Sequence, residues 1–253
     1  MTISWLDYRV LLAFVAIAIC FFISVFISLR RRSPKRPFAT TIFDTLCYIP
    51  YSLKIFKWGR GNDIHTCLQI AIQATGLFNL GLIVDNDHQF LERYALARKL
   101  GLARSRAQYT PFGYLLTQTT LTRRLTIRLN FMNYLLKHPR ITRIPVKKPI
   151  FVIGFTRTGT TFLHELLGLH PSVKMHYTWQ QMDPVPKTDV ETFAAVQKDL
   201  GDRFKNNRAQ FNRTMGLCGG NIQRVHRIDY DEPEECTIPL AFDLPWHATE
   251  IPW

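Results

Sequence analysis

Acidic residues and cysteines are both scarce in this chain. Nineteen Asp and Glu stand against 32 Lys and Arg, a formal charge of +13 over 253 residues. The five cysteines show neither paired C-x-x-C spacing nor histidines at zinc intervals, so no metal site is expected. Cys218 and Cys236 could pair in an oxidising lumen, while buried thiols are the default state of such residues. No internal repeat or low-complexity tract is present, which excludes arrays and solenoids. Removing the five charges of one juxtamembrane cluster from +13 leaves +8. That excess attracts an anionic ligand and is too diffuse to indicate nucleic acid.

Charge is also missing from Val10 to Leu29, a twenty-residue apolar run. At about 1.5 Å per residue it is long enough to cross the hydrocarbon of a bilayer as a helix. Arg30, Arg31, Arg32, Lys35 and Arg36 follow it. A cleaved signal peptide fits poorly, because the run is too long, its charges come after it, and no small-residue cleavage site closes it. Residues 1–36 therefore read as a single-pass membrane anchor with a basic flank.

Residues 37–148 read as mainly helical. Ile64 to Val84 is apolar but interrupted by His65, Gln69, Gln73 and Asn79, which suits a buried or amphipathic helix better than a second span. Asp85 to Leu100 and Phe112 to Lys137 continue the pattern. In the latter, Leu115, Leu116, Thr119, Arg123 and Ile127 suggest an apolar face beside a basic one. Pro139 ends the region.

The segment that most narrows function is Ile150 to Thr161, Ile-Phe-Val-Ile-Gly-Phe-Thr-Arg-Thr-Gly-Thr-Thr. It predicts a buried strand over Pro149 to Ile153, a turn, and a helix over Thr160 to Leu169 with Phe162, Leu163, Leu166 and Leu167 on one face. Gly154 and Gly159 have the spacing of a phosphate-binding loop, in which backbone N–H groups turn inward and the helix N-terminus adds partial positive charge. The lysine of nucleotide triphosphatases is replaced by Thr160, and the cation sits inside the loop at Arg157, whose planar fork can hold two oxygens at once. Such a loop suits a short phospho-anhydride better than a magnesium triphosphate. The fold expected is α/β: a P-loop-like strand-loop-helix core with a parallel sheet over residues 149–253, preceded by the helical region and the membrane helix.

At these residues the chain resembles the sulfotransferases, whose 5′-phosphosulfate loop reads Gly-x-x-Arg-[Ser/Thr]-Gly-Thr-Thr. His170-Pro171, Thr178-Trp179, the lead-in Leu135 to Ile144 and Asp231-Glu232-Pro233-Glu234-Glu235-Cys236 extend the resemblance over roughly Gly76 to Trp253. It implies 3′-phosphoadenosine 5′-phosphosulfate as sulfonate donor, a hydroxyl or amine acceptor, and no metal. It also implies that Phe155, Thr156, Arg157, Thr158, Gly159, Thr160 and Thr161 hold the donor, with Arg157 at the leaving oxygen.

Relatives often carry a glutamate just after the Thr-Trp pair, where this chain has Gln180 and Gln181. An amide takes no proton, which leaves His176 and the pair Glu234 and Glu235 as candidate bases. Pro233 reads as the first position of a helix, where acids are favoured by the dipole alone. The Arg and Ser that hold the 3′-phosphate in sulfotransferases have no counterpart here. Arg203, Arg208, Arg213, Arg224 and Arg227 read as a solvated helix face. Because the chain ends 92 residues after Thr161, a C-terminally truncated product is expected. The alternatives are a non-catalytic membrane protein that retains the loop and a P-loop kinase-like nucleotide binder. The basic flank places the C-terminal domain in the cytosol; the resemblance, with the sequon Asn212-Arg213-Thr214, places it in the lumen of the Golgi or another endomembrane.

Overall fold

The computed structural model describes residues 5–32, 37–53, 64–81, 91–92, 95, 110–155, 158–187, 192–217, 227–236 and 239. Seven α-helices have defined bounds among them: α1 (Trp5–Arg32), α2 (Phe38–Ser52), α3 (Ile64–Thr75), α4 (Pro111–Lys137), α5 (Thr160–Gly168), α6 (Thr178–Met182) and α7 (Phe193–Leu217). Within α1, Leu12–Arg31 is the one stretch of the described residues long and apolar enough to cross a membrane, and none of it is buried.

The main core lies between α3 and α4. Ile64, Cys67 and Ala71 of α3 meet Leu121, Leu125 and Leu129 of α4, with Leu80 and Leu91 closing the cluster. Both triplets recur at helical spacing, so each helix buries one stripe. Burial of each leucine contributes about 1.5–3 kcal/mol. The buried stripe of α4 also takes in Tyr114 and Arg128, whereas Leu115 is exposed. The face expected from Leu115, Leu116, Thr119, Arg123 and Ile127 is therefore corrected to the neighbouring one. Charge is the misleading signal, because Arg128 sits in the buried stripe and its Nε donates to the Leu80 carbonyl at 2.8 Å.

Local chemistry fixes where these helices begin and end. Thr110 caps α4 by accepting the Gly113 N–H at 3.1 Å, and Pro111 fills the first turn, where no N–H is needed. α3 ends at Gly76, and the connector runs to Gly81, which lies at φ +65 against α4. A Cβ on Gly81 would stand 2.0 Å from Met132 Cε, so the left-handed backbone favours glycine and any side chain here would have to displace the Met132 chain.

A smaller cluster joins α6 and α7 to residues 227–236. Phe204 and Phe211 pack on Tyr230 with ring centroids 5.3 Å apart in each pair, and Trp179 meets Phe204 edge-on at 5.7 Å. The Tyr230 hydroxyl donates to the Phe204 carbonyl at 2.8 Å. The solvated helix face expected of the arginines is corrected at Arg203, which is buried. Its Nε donates to Asp199 Oδ2 at 2.7 Å and a terminal nitrogen donates to the Asp183 carbonyl at 2.6 Å. Arg224 lies outside the described residues.

Among the described residues there is no strand, and the β pairing is limited to an isolated antiparallel bridge between Tyr177 and Pro233. The buried strand expected over Pro149–Ile153 is instead an exposed segment without regular structure, with Phe151 78% and Ile153 89% exposed. Phe162, Leu163 and Leu166 of α5 are exposed as well. A parallel strand is stable only between paired neighbours and under helices on both faces. No described segment runs alongside residues 149–155.

Candidate active site

The loop before α5 is shaped by two glycines and a threonine. Gly159 takes φ +90 at the N-cap, a left-handed value that suits glycine. A Cβ on Gly154 would meet Thr160 Cγ2 at 2.7 Å and Thr158 Oγ1 at 2.9 Å, so the turn folds tightly over this position. Thr158 closes it by donating its hydroxyl to the Phe155 carbonyl at 2.6 Å. The first backbone bond into the helix runs from Leu163 N–H to the Gly159 carbonyl at 3.0 Å, and no side chain caps the end. Among the described residues no carbonyl receives the N–H groups of Thr160, Thr161 and Phe162 at the helix start, the arrangement that holds an anion. Thr156 and Arg157 lie outside the described residues.

The acidic segment comes to this loop across 74 residues of sequence. The Thr161 hydroxyl donates to Glu235 Oε1 at 2.9 Å. Glu235 is held there by the pairing of 176–178 with 232–234: Thr178 N–H donates to the Glu232 carbonyl at 3.0 Å and Glu234 N–H to the His176 carbonyl at 3.1 Å. Gln181 locks the junction, its Nε2 donating to the Glu234 carbonyl at 2.6 Å and to the His176 carbonyl at 3.2 Å. Pro233 therefore sits in a β bridge and not at the helix start that its sequence context predicts.

The three candidate bases occupy different settings. Glu235 is half-buried and touches the loop helix; Glu234 is buried, and its Oε1 accepts the Glu235 N–H at 2.7 Å. His176 is exposed, and only its backbone carbonyl engages the junction. Gln180 helps to start α6, where its Oε1 accepts the Tyr177 N–H at 3.1 Å. A glutamate there would cap equally well, so this difference from the relatives leaves the local fold intact.

A cleft of about 660 Å³ is lined by α4, residues 182–187 and α7. The sequence singles out Arg123 but does not reveal the cleft, because its walls come from three separated segments. Asp183 organises it, with Oδ1 accepting from Lys187 Nζ at 3.0 Å and Oδ2 from Asn207 at 2.8 Å. Arg123 donates to the Met182 carbonyl at 3.3 Å. Burial pushes the Arg123 guanidinium below its ordinary range, while Asp183 and Tyr230 pull it back up. Asn130 and Asn133 line the same wall half-buried. Among the described residues no group of His, Cys, Asp and Glu is placed to hold a metal ion.

No curated protein matches the chain. The crystal structure of the sulfotransferase STF1 from Mycobacterium tuberculosis H37Rv matches with a TM-score of 0.53 and 26% identity, over 72% of this chain and 48% of that one. The chain thus spans about half the length of the solved relative. The sulfotransferase family matches residues 149–245, a range that contains the loop, α5, the Tyr177–Pro233 bridge and Glu235. Over that segment the chain is similar to the sulfotransferase family.

Proposed function

We propose that this protein transfers a sulfonate group from 3′-phosphoadenosine 5′-phosphosulfate to a hydroxyl or amine acceptor while tethered to an endomembrane by α1. In that reaction the acceptor atom forms a bond to sulfur, the bond from sulfur to the bridging phosphate oxygen breaks, and the acceptor proton goes to a base. The observation that carries this reading is the Thr161–Glu235 hydrogen bond, which joins an open helix N-terminus to a carboxylate brought from 74 residues away. Thr158, Gly159, Thr160 and Thr161 hold the 5′-phosphate through backbone N–H groups and hydroxyls, with Phe155 and Thr156 contributing the entry side of the loop. Arg157 supplies the charge at the oxygen that leaves sulfur, where a fixed cation favours the transition state over the ground state.

Glu235 serves as the base, since it already lies within hydrogen-bond reach of the loop helix; His176, two residues before α6, is the second candidate. The cleft lined by α4 and α7 takes the remote part of the acceptor. Its amides and cations favour a polar, anionic or hydroxyl-rich molecule.

The direct test is calorimetric titration with adenosine 3′,5′-bisphosphate, together with sulfonate transfer from labelled donor to a panel of hydroxyl and amine acceptors. Wild type binds the bisphosphate, and Arg157→Ala loses transfer by about two decades with an unchanged melting temperature. Unchanged transfer in that variant overturns the role of the arginine.

A further inference from the structure

Helix α2 is amphipathic in the wrong sense for a helix that meets water. Its polar residues Thr40, Thr41, Asp44 and Thr45 are buried, Asp44 completely so. Its apolar residues Phe38, Ile42 and Leu46 are 62%, 38% and 62% exposed. These three recur every fourth residue and form one outward stripe, continued just past the helix end by Leu53. In a water-soluble protein the pattern runs the other way, with the apolar stripe facing the core.

The buried polar face is fully engaged inside the protein. Thr40 and Thr41 donate to the Pro37 carbonyl at 2.8 and 3.2 Å, and Thr45 donates to the Thr41 carbonyl at 2.7 Å. Asp44 Oδ1 accepts the Phe112 N–H at the start of α4 at 2.5 Å, and Phe43 meets Phe112 edge-on at 6.0 Å. No charged side chain other than that of Asp44 occurs in the helix. The carboxylate and the three threonine hydroxyls thus face the protein, which is what hydrocarbon demands of the outer face.

The exposed stripe is continuous with the candidate span. α1 packs on α2 through Phe26 against Phe38, with centroids 5.5 Å apart, and through Phe21 against Tyr48 at 6.3 Å. Counted from Arg31 at the basic collar, Phe26 and Phe21 lie five and ten residues into the span, or about 7.5 and 15 Å at the helical rise. Half of a hydrocarbon core is about 15 Å. α2 therefore occupies the depth of one leaflet, entering obliquely beside α1.

We propose that α2 is a second membrane-embedded element: it lies in the leaflet next to the basic collar, buries its Phe38–Ile42–Leu46 stripe in acyl chains, and holds the start of α4 against its inner face through Asp44. The proposal rests on α1 crossing the bilayer, and it replaces a domain swinging on a flexible stalk with one docked against lipid.

Nitroxide labels in phospholipid vesicles test it on the full-length chain, with the native cysteines replaced by serine or alanine. Labels are placed at Ile42→Cys and Leu46→Cys, with Ile17→Cys in α1 and the exposed Lys174→Cys as bilayer and water references. The Ile42 and Leu46 labels are expected to collide freely with oxygen and to lose collisions with a charged nickel chelate by roughly tenfold relative to position 174. Chelate collisions equal to those at position 174 overturn the proposal. So does shielding from both reagents, which would mean that a second copy or another part of the chain covers the stripe. If the Ile17 label also meets the chelate, the anchor reading falls with it; if only the α2 labels do, the anchor stands alone. The unsubstituted chain supplies a second measurement. In vesicles carrying a diazirine acyl-chain lipid, adducts are expected on peptides spanning residues 38–53, and adducts confined to α1 overturn the proposal.

Discussion

Replacing Glu235 with glutamine separates two effects that a single carboxylate contributes to the loop. In the structure Glu235 Oε1 accepts the Thr161 hydroxyl at 2.9 Å, so any anion held at the start of α5 has a negative charge for a neighbour. An anion bound at that helix end lies roughly two hydrogen-bond lengths, about 6 Å, from the carboxylate. At an effective dielectric of about 20, two unit charges at that distance repel by about 3 kcal/mol. Glu235 is only half-buried, and solvent screening brings the penalty to about 1 kcal/mol. Glu235→Gln should therefore tighten adenosine 3′,5′-bisphosphate binding about fivefold, measured by calorimetry at low salt, with the gain shrinking as salt rises. The amide oxygen still accepts from Thr161, so the junction survives. Transfer should fall by about two to four decades in the same variant, because an amide takes no proton. Tighter binding with slower transfer is the signature of a carboxylate that costs affinity and contributes catalysis. Transfer within about threefold of wild type would remove Glu235 from the chemistry, and weaker binding would refute the electrostatic argument.

Three further predictions concern stability. Arg203→Met leaves Asp199 buried without its partner and removes the donor to the Asp183 carbonyl, so it should cost about 3–5 kcal/mol in denaturant unfolding; a loss below about 1 kcal/mol would show that the pair carries little. Gly81→Ala places a Cβ 2.0 Å from Met132 Cε at φ +65, and the backbone strain and overpacking together should cost at least about 2 kcal/mol, read as a lower melting temperature. The Tyr230 hydroxyl is held above the ordinary tyrosine range by burial first, with Asp183 and Asp231 adding to the effect and Arg123 and Arg208 opposing it. A folded value above the unfolded one favours the protonated hydroxyl, so this stabilisation is complete below about pH 10 and is lost as pH climbs through the folded value. Thermal unfolding followed from about pH 9 upward should show an alkaline loss in wild type that is reduced in Tyr230→Phe, and equal losses in both would refute the assignment.

The loop is legible in the sequence because its requirements are local. Gly159 needs a left-handed backbone and Gly154 a position with no side chain, and both demands fall on single residues at fixed spacing. The helices of the middle region are legible as elements for the same reason, but the phase of α4 is not. A leucine and an arginine close in sequence do not reveal that Arg128 faces inward to the Leu80 carbonyl, since that partner comes from a connector 48 residues earlier. The junction of Glu235 with Thr161 is illegible on similar grounds. Glu234 and Glu235 follow Pro233, which locally signals a helix start, and only the long-range pairing with Tyr177 turns that segment into a bridge aimed at the loop. The apolar run at Pro149–Ile153 satisfies every local test for a strand, yet a strand also needs neighbours, and none of the described residues runs beside it.

Helix α2 shows the same limit from the opposite side. Periodicity reveals that Thr40, Thr41, Asp44 and Thr45 share one face and that Phe38, Ile42 and Leu46 share another, but it carries no information about which face is inward. The inward face follows from partners outside the helix: a backbone N–H at Phe112 that needs an acceptor and helix α1, whose Phe21 and Phe26 rings meet Tyr48 and Phe38. The medium follows in turn. With water outside, the exposed Phe38 and Leu46 would each forfeit on the order of 1.5–3 kcal/mol that burial would recover. Flipping the helix to hide them would break the Asp44 bond and leave the Phe112 N–H uncapped. With acyl chains outside, the observed orientation satisfies both faces at once, so the solvent that this helix meets, rather than its sequence pattern alone, decides its rotation.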